Sequence, residues 1–293
     1  MSGFFDKREF LRLLGSAAVA APTAAAVASK AAQQAATPDT KEPAYQRVMR
    51  TNTLRCGYGF WEPGFSQDLQ TGKLSGIFYD YLEAIGKHTG LKIEWAEEVG
   101  WGDFPTALNN GRIDAMCFGA WPKATTAREV LFTEPTYFLP IYAYVRAGDA
   151  RFDRALEKIN APGIKIATMD SELSAELART QFPLAQTLSV PQLSASGTLL
   201  LNVASGKADV TFTDAWTGAA FMAKNPGKVK VVALDRPLRL FGHTIPIGKG
   251  EYSLLSLLNA ATEEIKTSGE FETIMQKYEK IPGVLLLQKE DYQ

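Results

Sequence analysis

The 293-residue chain lacks the short motifs that mark the commonest enzyme chemistries. It has no glycine-rich phosphate loop, no dinucleotide-binding glycine motif, no HExxH and no GxSxG. Its two histidines and two cysteines are too few for the usual zinc sites built from these residues. A formal net charge of −1 offers no basic field for nucleic acid or for an anionic membrane. We therefore expect no metal, no cofactor and no nucleic-acid partner.

The composition is that of an ordinary globular protein, with 46% hydrophobic and 22% charged residues. A chain of this length can form one large domain or two moderate ones, each with a core of its own. From residue 54 to 118, short apolar runs alternate with amphipathic segments at helical spacing, and the alternation returns between 164 and 232. This β-α-β-α-β order predicts parallel sheets that are covered by helices on both faces.

Residues 1–28 have the features of an export signal. Basic residues precede an uncharged, alanine-rich stretch, and Ala26-Val27-Ala28 offers a small-x-small cleavage site. Because Pro22 interrupts this stretch, which is shorter than the ~20 residues of a membrane span, we expect cleavage rather than an uncleaved anchor. The run Asp6-Lys-Arg-Glu-Phe-Leu-Arg12 resembles the twin-arginine signal, although Lys7 replaces the first arginine. The twin-arginine and general secretory routes therefore both stay open.

Residues 29–45 are polar, aperiodic and rich in alanine and glutamine, which predicts a flexible leader. No cysteine precedes Cys56, so a lipid-attachment cysteine is missing. We therefore expect the mature protein to be soluble.

An internal similarity links the two halves of the mature chain. The segment Leu108–Asp114 is followed five residues later by Gly119-Ala-Trp121, and Leu201–Asp209 is followed five residues later by Asp214-Ala-Trp216. Each copy has a helix end, a glycine that can adopt the left-handed conformation, and then a buried strand. In open α/β sheets, ligands bind beyond the carboxyl ends of the strands. The two halves are therefore predicted to present equivalent edges to a shared cleft.

Short motifs follow one another along most of the mature chain. They are Leu54-Arg-Cys-Gly57, Trp61-Glu-Pro63, Gly72-Lys-Leu-Ser-Gly76, Tyr79-Asp-Tyr-Leu82, Gly111-Arg-Ile-Asp-Ala115, Phe132-Thr-Glu-Pro135 and the tail Leu254–Tyr278. In order and spacing they resemble the family 3 extracellular solute-binding proteins. These proteins are the amino-acid-binding components of ABC importers and have the type II periplasmic-binding fold.

The resemblance implies an α/β fold of two Rossmann-like lobes joined by two hinge strands. Lobe one would comprise residues 46–143 and 245–285, and lobe two residues 144–244, with hinges in 140–146 and 240–246. The protein would be a periplasmic, non-enzymatic monomer that captures an amino acid or a similar amino/carboxylate solute between its lobes. It would then deliver this small-molecule ligand to an ABC permease in the inner membrane.

The resemblance also implies positions for the two charged ends of the ligand. Arg128 lies in the family's T-x-x-R motif, and a guanidinium there would hold the ligand carboxylate beside a backbone donor near Gly119. The loop between these two residues is longer than is usual in the family, and a solvated surface arginine is the alternative. Asp214 would receive the ligand ammonium, unless it serves only as the cap of the next helix.

Other implied ligand-binding residues are aromatic or lie at a helix start. Ser171 would donate to the ligand carboxylate at a helix N-terminus, although Asp170 precedes it. Trp61 and Trp101 would sandwich the ligand side chain, with burial in the core as the alternative. Tyr58 stands where several relatives for basic amino acids carry an acid, which weakens a lysine- or arginine-specific interpretation, although cation–π contact could substitute for the acid.

Two further interpretations stay open at this stage. Cys56 and Cys117 would lie on neighbouring strands of the family's sheet, and we expect buried free thiols although the oxidising compartment permits a disulfide. The same fold also occurs in periplasmic dehydratases that act on cyclohexadienyl acids, for which Glu62 and Glu172 are candidate acids near the cleft. A ligand-sensing module for a membrane partner is a third possibility.

Overall fold

The computed structural model describes residues 42–279, so the predicted export signal and the leader up to residue 41 lie outside the described residues. The helices are α1 (Ala44–Thr51), α2 (Ile77–Thr89), α3 (Phe104–Asn109), α4 (Leu173–Gln181), α5 (Gly197–Ala204), α6 (Ala215–Lys224), α7 (Tyr252–Thr267) and α8 (Glu270–Tyr278). Short 3-10 turns occupy Thr126–Arg128 and Leu156–Ile159. Within residues 42–279, no helix combines the length and apolarity needed to cross a bilayer.

Most of the strands belong to two main sheets, one in each lobe. The strands in chain order are β1 (Thr53–Tyr58), β2 (Ser66–Gln67), β3 (Leu74–Ser75), β4 (Lys92–Glu98), β5 (Ala115–Met116), β6 (Val130–Phe132), β7 (Phe138–Arg146), β8 (Lys165–Met169), β9 (Gln186–Val190), β10 (Val210–Asp214), β11 (Val229–Val231), β12 (Arg239–Gly242) and β13 (Pro246–Gly248). Strands β2 and β3 pair as a separate small ribbon.

Sheet one has the order β4-β1-β5-β13-β6. Its strands β1, β4 and β5 are parallel, as predicted, whereas β13 runs antiparallel to both of its neighbours. Helix α2 buries Ile77, Phe78, Tyr81, Leu82 and Ile85 in the core of this lobe. These residues recur at helical spacing, so one face of the helix packs inward.

Sheet two has the order β9-β8-β10-β7, and the other edge of β7 pairs first with β12 and then with β11. Strands β8 and β10 are parallel, as predicted, and β9, which the sequence did not predict, pairs parallel with β8, whereas β7 runs antiparallel to β10. Ile141 and Ala143 belong to one apolar cluster and Tyr142 and Tyr144 to another. Because neighbouring residues of a strand point to opposite faces, β7 is covered on both sides.

The chain passes between the two sheets at segments 133–137 and 243–245. These segments contact each other, since the Thr136 amide donates to the His243 carbonyl oxygen at 2.8 Å and the His243 amide donates to the Tyr137 carbonyl oxygen at 2.9 Å. The predicted hinge 140–146 instead lies within sheet two, where β7 pairs with its neighbours along its whole length. The boundary between the lobes therefore falls before β7 rather than after residue 143.

Helix α1 begins inside the segment that the sequence predicts as leader. Its first two amides, those of Ala44 and Tyr45, donate to the Glu251 carboxylate at 2.7 and 3.1 Å. Arg47 pairs with the buried Asp114. These contacts make α1 part of lobe one.

The internal similarity predicted from the sequence has a structural counterpart. Gly111 and Gly206 have φ of 69° and 78°, the left-handed conformation expected after α3 and α5. The aspartate that follows each glycine is held by arginines: Asp114 by Arg47 and Arg55, and Asp209 by Arg146 and Arg151. Both aspartates therefore have a structural role at the start of a strand.

Cys56 and Cys117 form a disulfide bond, so the expectation of free thiols is wrong. Cys56 lies on β1, and the Cys117 amide donates to the carbonyl oxygen of Gly57 on the same strand at 2.8 Å. The pairing of β1 with β5 brings the two Cα atoms to 5.3 Å, which is within the range that a disulfide requires. Both residues are buried in the core of lobe one.

Candidate ligand-binding cleft

A cavity of about 300 Å³ has walls from both lobes. Its aromatic lining residues are Phe60, Trp61, Trp101, Phe118, Trp121 and Phe241. Its polar lining residues are Glu98, Gln192, Ser194, Ser196, Thr213, His243, Glu172 and Asp214. The acids among these polar residues and the surrounding rings make the cavity both acidic and aromatic. Within the described part of the chain, no group of histidine, cysteine, aspartate and glutamate side chains is arranged to hold a metal ion.

Asp214 ends β10 and caps the N-terminus of α6. Its carboxylate accepts from the Thr217 amide at 2.8 Å and from the Thr217 hydroxyl at 2.7 Å. Burial raises the pKa of this carboxyl above its ordinary value, and these hydrogen bonds oppose the rise. Asp214 is only 7% exposed, and it lines the cavity. Asp214 therefore both caps helix α6 and lines the cleft.

Trp61 of lobe one reaches Asp214 of lobe two. Its indole Nε1–H lies 3.2 Å from both the Asp214 carboxylate and the Thr217 hydroxyl oxygen. The ring stacks on His243 with centroids 5.2 Å apart, and His243 stacks on Tyr137 at 4.8 Å. Burial lowers the pKa of His243 to about 4, so this imidazole is neutral near pH 7. Trp61 therefore joins the two lobes beside the segments that connect them.

Glu172 caps α4 and also lines the cavity. Its carboxylate accepts from the Ser174 amide at 2.8 Å and from the Ser174 hydroxyl at 2.6 Å. Removal from water, with a smaller contribution from the negative charge of Asp214, raises the pKa of Glu172 to about 7, and the Ser174 hydrogen bonds oppose this rise. A carboxylate therefore already occupies the helix start where the ligand carboxylate was predicted to bind.

Ser171, which the sequence placed at this helix start, does not line the cavity. It is exposed and has φ of 62°, a left-handed conformation that leaves Glu172 to cap the helix. The Ser171 carbonyl oxygen accepts from Lys123 Nζ at 3.2 Å. The sequence did place Glu172 near the cleft, but as a candidate general acid. Glu62, the other candidate acid, is exposed and lies outside the cavity lining.

Arg128 also does not line the cavity in this arrangement of the lobes, so its predicted role in holding the ligand carboxylate stays a prediction. It is exposed at the end of the 3-10 turn Thr126–Arg128. The long loop before this turn places Trp121 against the cavity instead.

Gly119 and Tyr58 likewise do not line the cavity. The Gly119 carbonyl oxygen lies 3.3 Å from Nδ1 of His243, so this glycine contacts a residue that lines the cavity. Tyr58 stacks on Phe65 at 5.2 Å and belongs to an aromatic cluster in lobe one.

Trp101 and Trp121 form much of the aromatic wall. The centroid of Trp101 lies 4.5 Å from that of Phe118 and 5.2 Å from that of Trp121. Trp121 is only 7% exposed, and its buried Nε1–H has no hydrogen-bond partner among residues 42–279. Trp216, at the equivalent position of the second half, is buried outside the cavity.

Gln192 makes a second set of contacts between the lobes. Its Oε1 accepts from the Gly102 amide at 2.7 Å, and its Nε2 donates to the Asp103 carboxylate at 2.6 Å. Gln192 also lines the cavity. Sequence reasoning missed Gln192 and His243 because neither belongs to a recognisable motif. The contacts of Gln192 and Trp61, with the Lys123–Ser171 hydrogen bond, thus connect the two lobes around the cavity.

Comparison with known families identifies the class of protein. The model for bacterial extracellular solute-binding proteins, family 3, matches residues 54–281. The chain belongs to this family, which confirms the resemblance seen in the sequence, and its two-lobed α/β fold is the type II periplasmic-binding fold.

Named relatives are similar over most of the chain. A probable histidine-binding protein of Campylobacter jejuni is 26% identical over 246 residues, which cover 82% of this chain and 90% of that protein. An L-arginine-binding protein of Pseudomonas aeruginosa is 24% identical over 77% of this chain and 87% of its own length. The crystal structure of an ancestral amino acid-binding protein, a precursor of cyclohexadienyl dehydratase, matches with a TM-score of 0.68 and 25% identity. That match covers 80% of this chain and 97% of the ancestral one.

Proposed function

We propose that this protein captures an amino acid or a similar small amino- or carboxylate-bearing solute and delivers it to an ABC importer. The observation that carries the proposal is a cavity of about 300 Å³ whose walls come from both lobes. The curated relatives are named as amino-acid-binding proteins, and the family is an extracellular one. An exported, periplasmic protein that works as a monomer with an inner-membrane permease fits these observations.

Capture requires that the ligand prefer the closed arrangement of the lobes. A ligand that contacts one lobe alone gains nothing from closure, whereas one that contacts both lobes favours it. Trp61 and Trp101 provide the walls of lobe one, and Asp214 and Glu172 provide acids of lobe two. Segments 133–137 and 243–245 are the natural hinge because they lie between the sheets.

A dehydratase of the same fold is the second candidate. Glu172 lines the cavity, and a pKa raised to about 7 suits a general acid near neutral pH. A cyclohexadienyl acid is an anion, however, and it would enter a cavity lined by Glu98, Glu172 and Asp214. The same charges are compatible with an amino group, so binding without turnover is the function that we favour. Incubation with prephenate or arogenate separates the two, because formation of an aromatic product would favour the dehydratase.

The proposed function is tested by a thermal-shift screen of the mature protein. Amino acids, amines and small carboxylates are tested first, and each compound that stabilises the protein is then titrated by calorimetry. We expect at least one amino-bearing solute to bind, with light scattering reporting a monomer. Fractionation that finds the full-length chain in the cytoplasm would contradict the periplasmic location. Capture of a membrane sensor in place of a permease by a pull-down would favour the sensing module.

A further inference from the structure

The segment Gly100–Asp103 of lobe one lies directly against lobe two. Trp101, inside this segment, packs against the apolar cluster of lobe one and against both clusters that contain residues of β7 and β8. Gln192 of lobe two bonds to the segment twice, since its Oε1 accepts from the Gly102 amide at 2.7 Å and its Nε2 donates to the Asp103 carboxylate at 2.6 Å. One side chain of lobe two therefore holds both a backbone group and a side chain of lobe one.

Two glycines permit this close approach. A Cβ atom at Gly100 would lie 2.4 Å from Cδ of Gln192, and a Cβ atom at Gly102 would lie 2.7 Å from Oγ of Ser171. Apart from adjoining residues of the chain, the three heavy atoms nearest to each such Cβ atom all belong to lobe two. Neither glycine has a positive φ, so the backbone of lobe one does not itself require glycine there. The contact with lobe two does require it.

Ser171 makes a second contact between the lobes beside Gly102. Its carbonyl oxygen accepts from Lys123 Nζ of lobe one at 3.2 Å. Its φ of 62° is unfavourable for a residue that has a side chain, and such conformations persist where the surrounding structure imposes them. Here the conformation brings Oγ close to Gly102 and the carbonyl oxygen to Lys123, so both ends of Ser171 face lobe one.

The hydrogen bonds of Gln192 to lobe one need no ligand, because their donors and acceptors all belong to the protein. Gly100, Gly102 and Asp103 do not line the cavity, although Trp101 and Gln192 do. The contacts at residues 100–103 can therefore stabilise the closed lobes whichever solute the cavity holds.

We propose that Gln192, Gly100, Gly102 and Asp103 form an inter-lobe latch that favours the closed arrangement of the lobes independently of the identity of the solute. Gln192 is the positioning residue of this latch, and the two glycines give it access to its partners. Because the latch contributes part of the free energy of closure, a bound solute needs to supply less of it and leaves more slowly. This inference rests on the proposed function, since it assigns control of retention to the same cleft.

The test measures lobe opening in the ligand-free protein by hydrogen exchange at the Trp61 indole N–H, followed by NMR. This group is bonded across the lobes to Asp214 and Thr217, neither of which belongs to the latch. Its exchange rate therefore reports the population in which the lobes have separated. Gln192→Ala removes two hydrogen bonds between the lobes, so we expect exchange at least about fivefold faster than in the wild type.

Gly100→Ala breaks the latch from lobe one. Its methyl group displaces the Gln192 side chain from its partners without lining the cavity, so we expect a similar acceleration. Gly163→Ala is the matched control, because a Cβ atom at Gly163 meets no atom within 4 Å and its φ is not positive. In the double variant Gly100→Ala, Gln192→Ala, the methyl group no longer meets the glutamine, so exchange should be within about twofold of Gln192→Ala alone.

Two results would overturn the latch. One is an exchange rate at Trp61 within about twofold of the wild type in either single variant. The other is multiplication of the two effects in the double variant, which would show that Gly100→Ala acts on lobe one itself. Backbone amides in the centre of β1 report the stability of lobe one and should keep their rates.

Failure of the proposed function has a different signature. If the thermal-shift screen finds no solute that binds, capture is refuted, while the exchange measurement still decides the latch. If a solute binds, it should also dissociate faster from Gly100→Ala than from the wild type, and an unchanged dissociation rate would refute the control of retention.

Discussion

The disulfide between Cys56 and Cys117 provides a stability prediction whose size can be worked out. The two residues are separated by 61 positions in the sequence, so the bond closes a long loop in the unfolded chain. The chain-entropy relation gives about 4 kcal/mol of stabilisation for a loop of this length. In domains of 150–250 residues, each kcal/mol of lost stability lowers the melting temperature by ~2–4 °C. The double variant Cys56→Ala, Cys117→Ala should therefore have a melting temperature roughly 8–16 °C lower than the wild type.

The assay is calorimetric melting of the oxidised protein, the reduced protein and the double variant. Neither cysteine lines the cavity, so ligand affinity at 25 °C should stay within about threefold of the wild type, a difference below ~1 kcal/mol. The unreduced protein in denaturant should show no reactive thiol. Loss of less than ~1 kcal/mol of stability, or two reactive thiols before reduction, would refute the reasoning.

Three further predictions concern the cleft. Arg128→Ala should leave ligand affinity within about threefold of the wild type, a difference below ~1 kcal/mol, because the side chain is exposed outside the cavity. Calorimetry on the two proteins measures the difference, and a much larger loss would show that the arginine moves into the site. Gln192→Ala removes the hydrogen bonds of this side chain to Gly102 and Asp103 of lobe one, so the ligand should dissociate faster. Stopped-flow fluorescence measures the dissociation rate, and an unchanged rate would refute the prediction. The pKa of Glu172 is raised to about 7 in the folded state, above its pKa in the unfolded chain. As the pH rises from the unfolded pKa toward 7, the contribution of Glu172 to folding stability therefore declines. Over the same interval Glu172 becomes charged, so the affinity for an ammonium-bearing ligand should rise. The groups that face Glu172 are Asp214 and Lys123, so calorimetric titrations between pH 5.5 and 8.5 should be repeated with Glu172→Gln, in which the dependence should flatten.

The sequence predicted the regular elements wherever burial imposed a clear period. The predicted alternation over residues 54–118 corresponds to β1, α2, β4, α3 and β5, and the one over 164–232 contains β8, α4, α5, β10 and α6. Strand β9 (Gln186–Val190) was missed because it lies at the edge of sheet two and is only partly buried, so it lacks an apolar run. The start of helix α1, residues 44 and 45, was assigned to the leader because the helix is short and polar and its first amides depend on a distant residue, Glu251.

The site was predictable at the ends of strands and, through the family resemblance, at Trp61, but less so where it depends on loops. Asp214 ends the buried strand β10, so topology predicts its place at the cleft, whereas the resemblance to the family predicted Trp61. Arg128 follows a loop of unusual length, whose path no motif specifies. Glu172 replaced Ser171 as the lining residue because of a single left-handed residue, which the sequence does not reveal.

The most direct test of the account is a calorimetric titration of the tightest-binding amino-bearing solute into the wild type and Asp214→Asn. The substitution keeps an oxygen for the Thr217 amide and removes the buried charge that lines the cavity. Loss of one partner of a desolvated charge pair costs ~2–5 kcal/mol, so the affinity should fall at least about 30-fold. Arg128→Ala, measured in parallel, should bind like the wild type. Binding by Asp214→Asn within about threefold of the wild type, a difference below ~1 kcal/mol, would contradict a cleft in which lobe two holds the ligand's amino group.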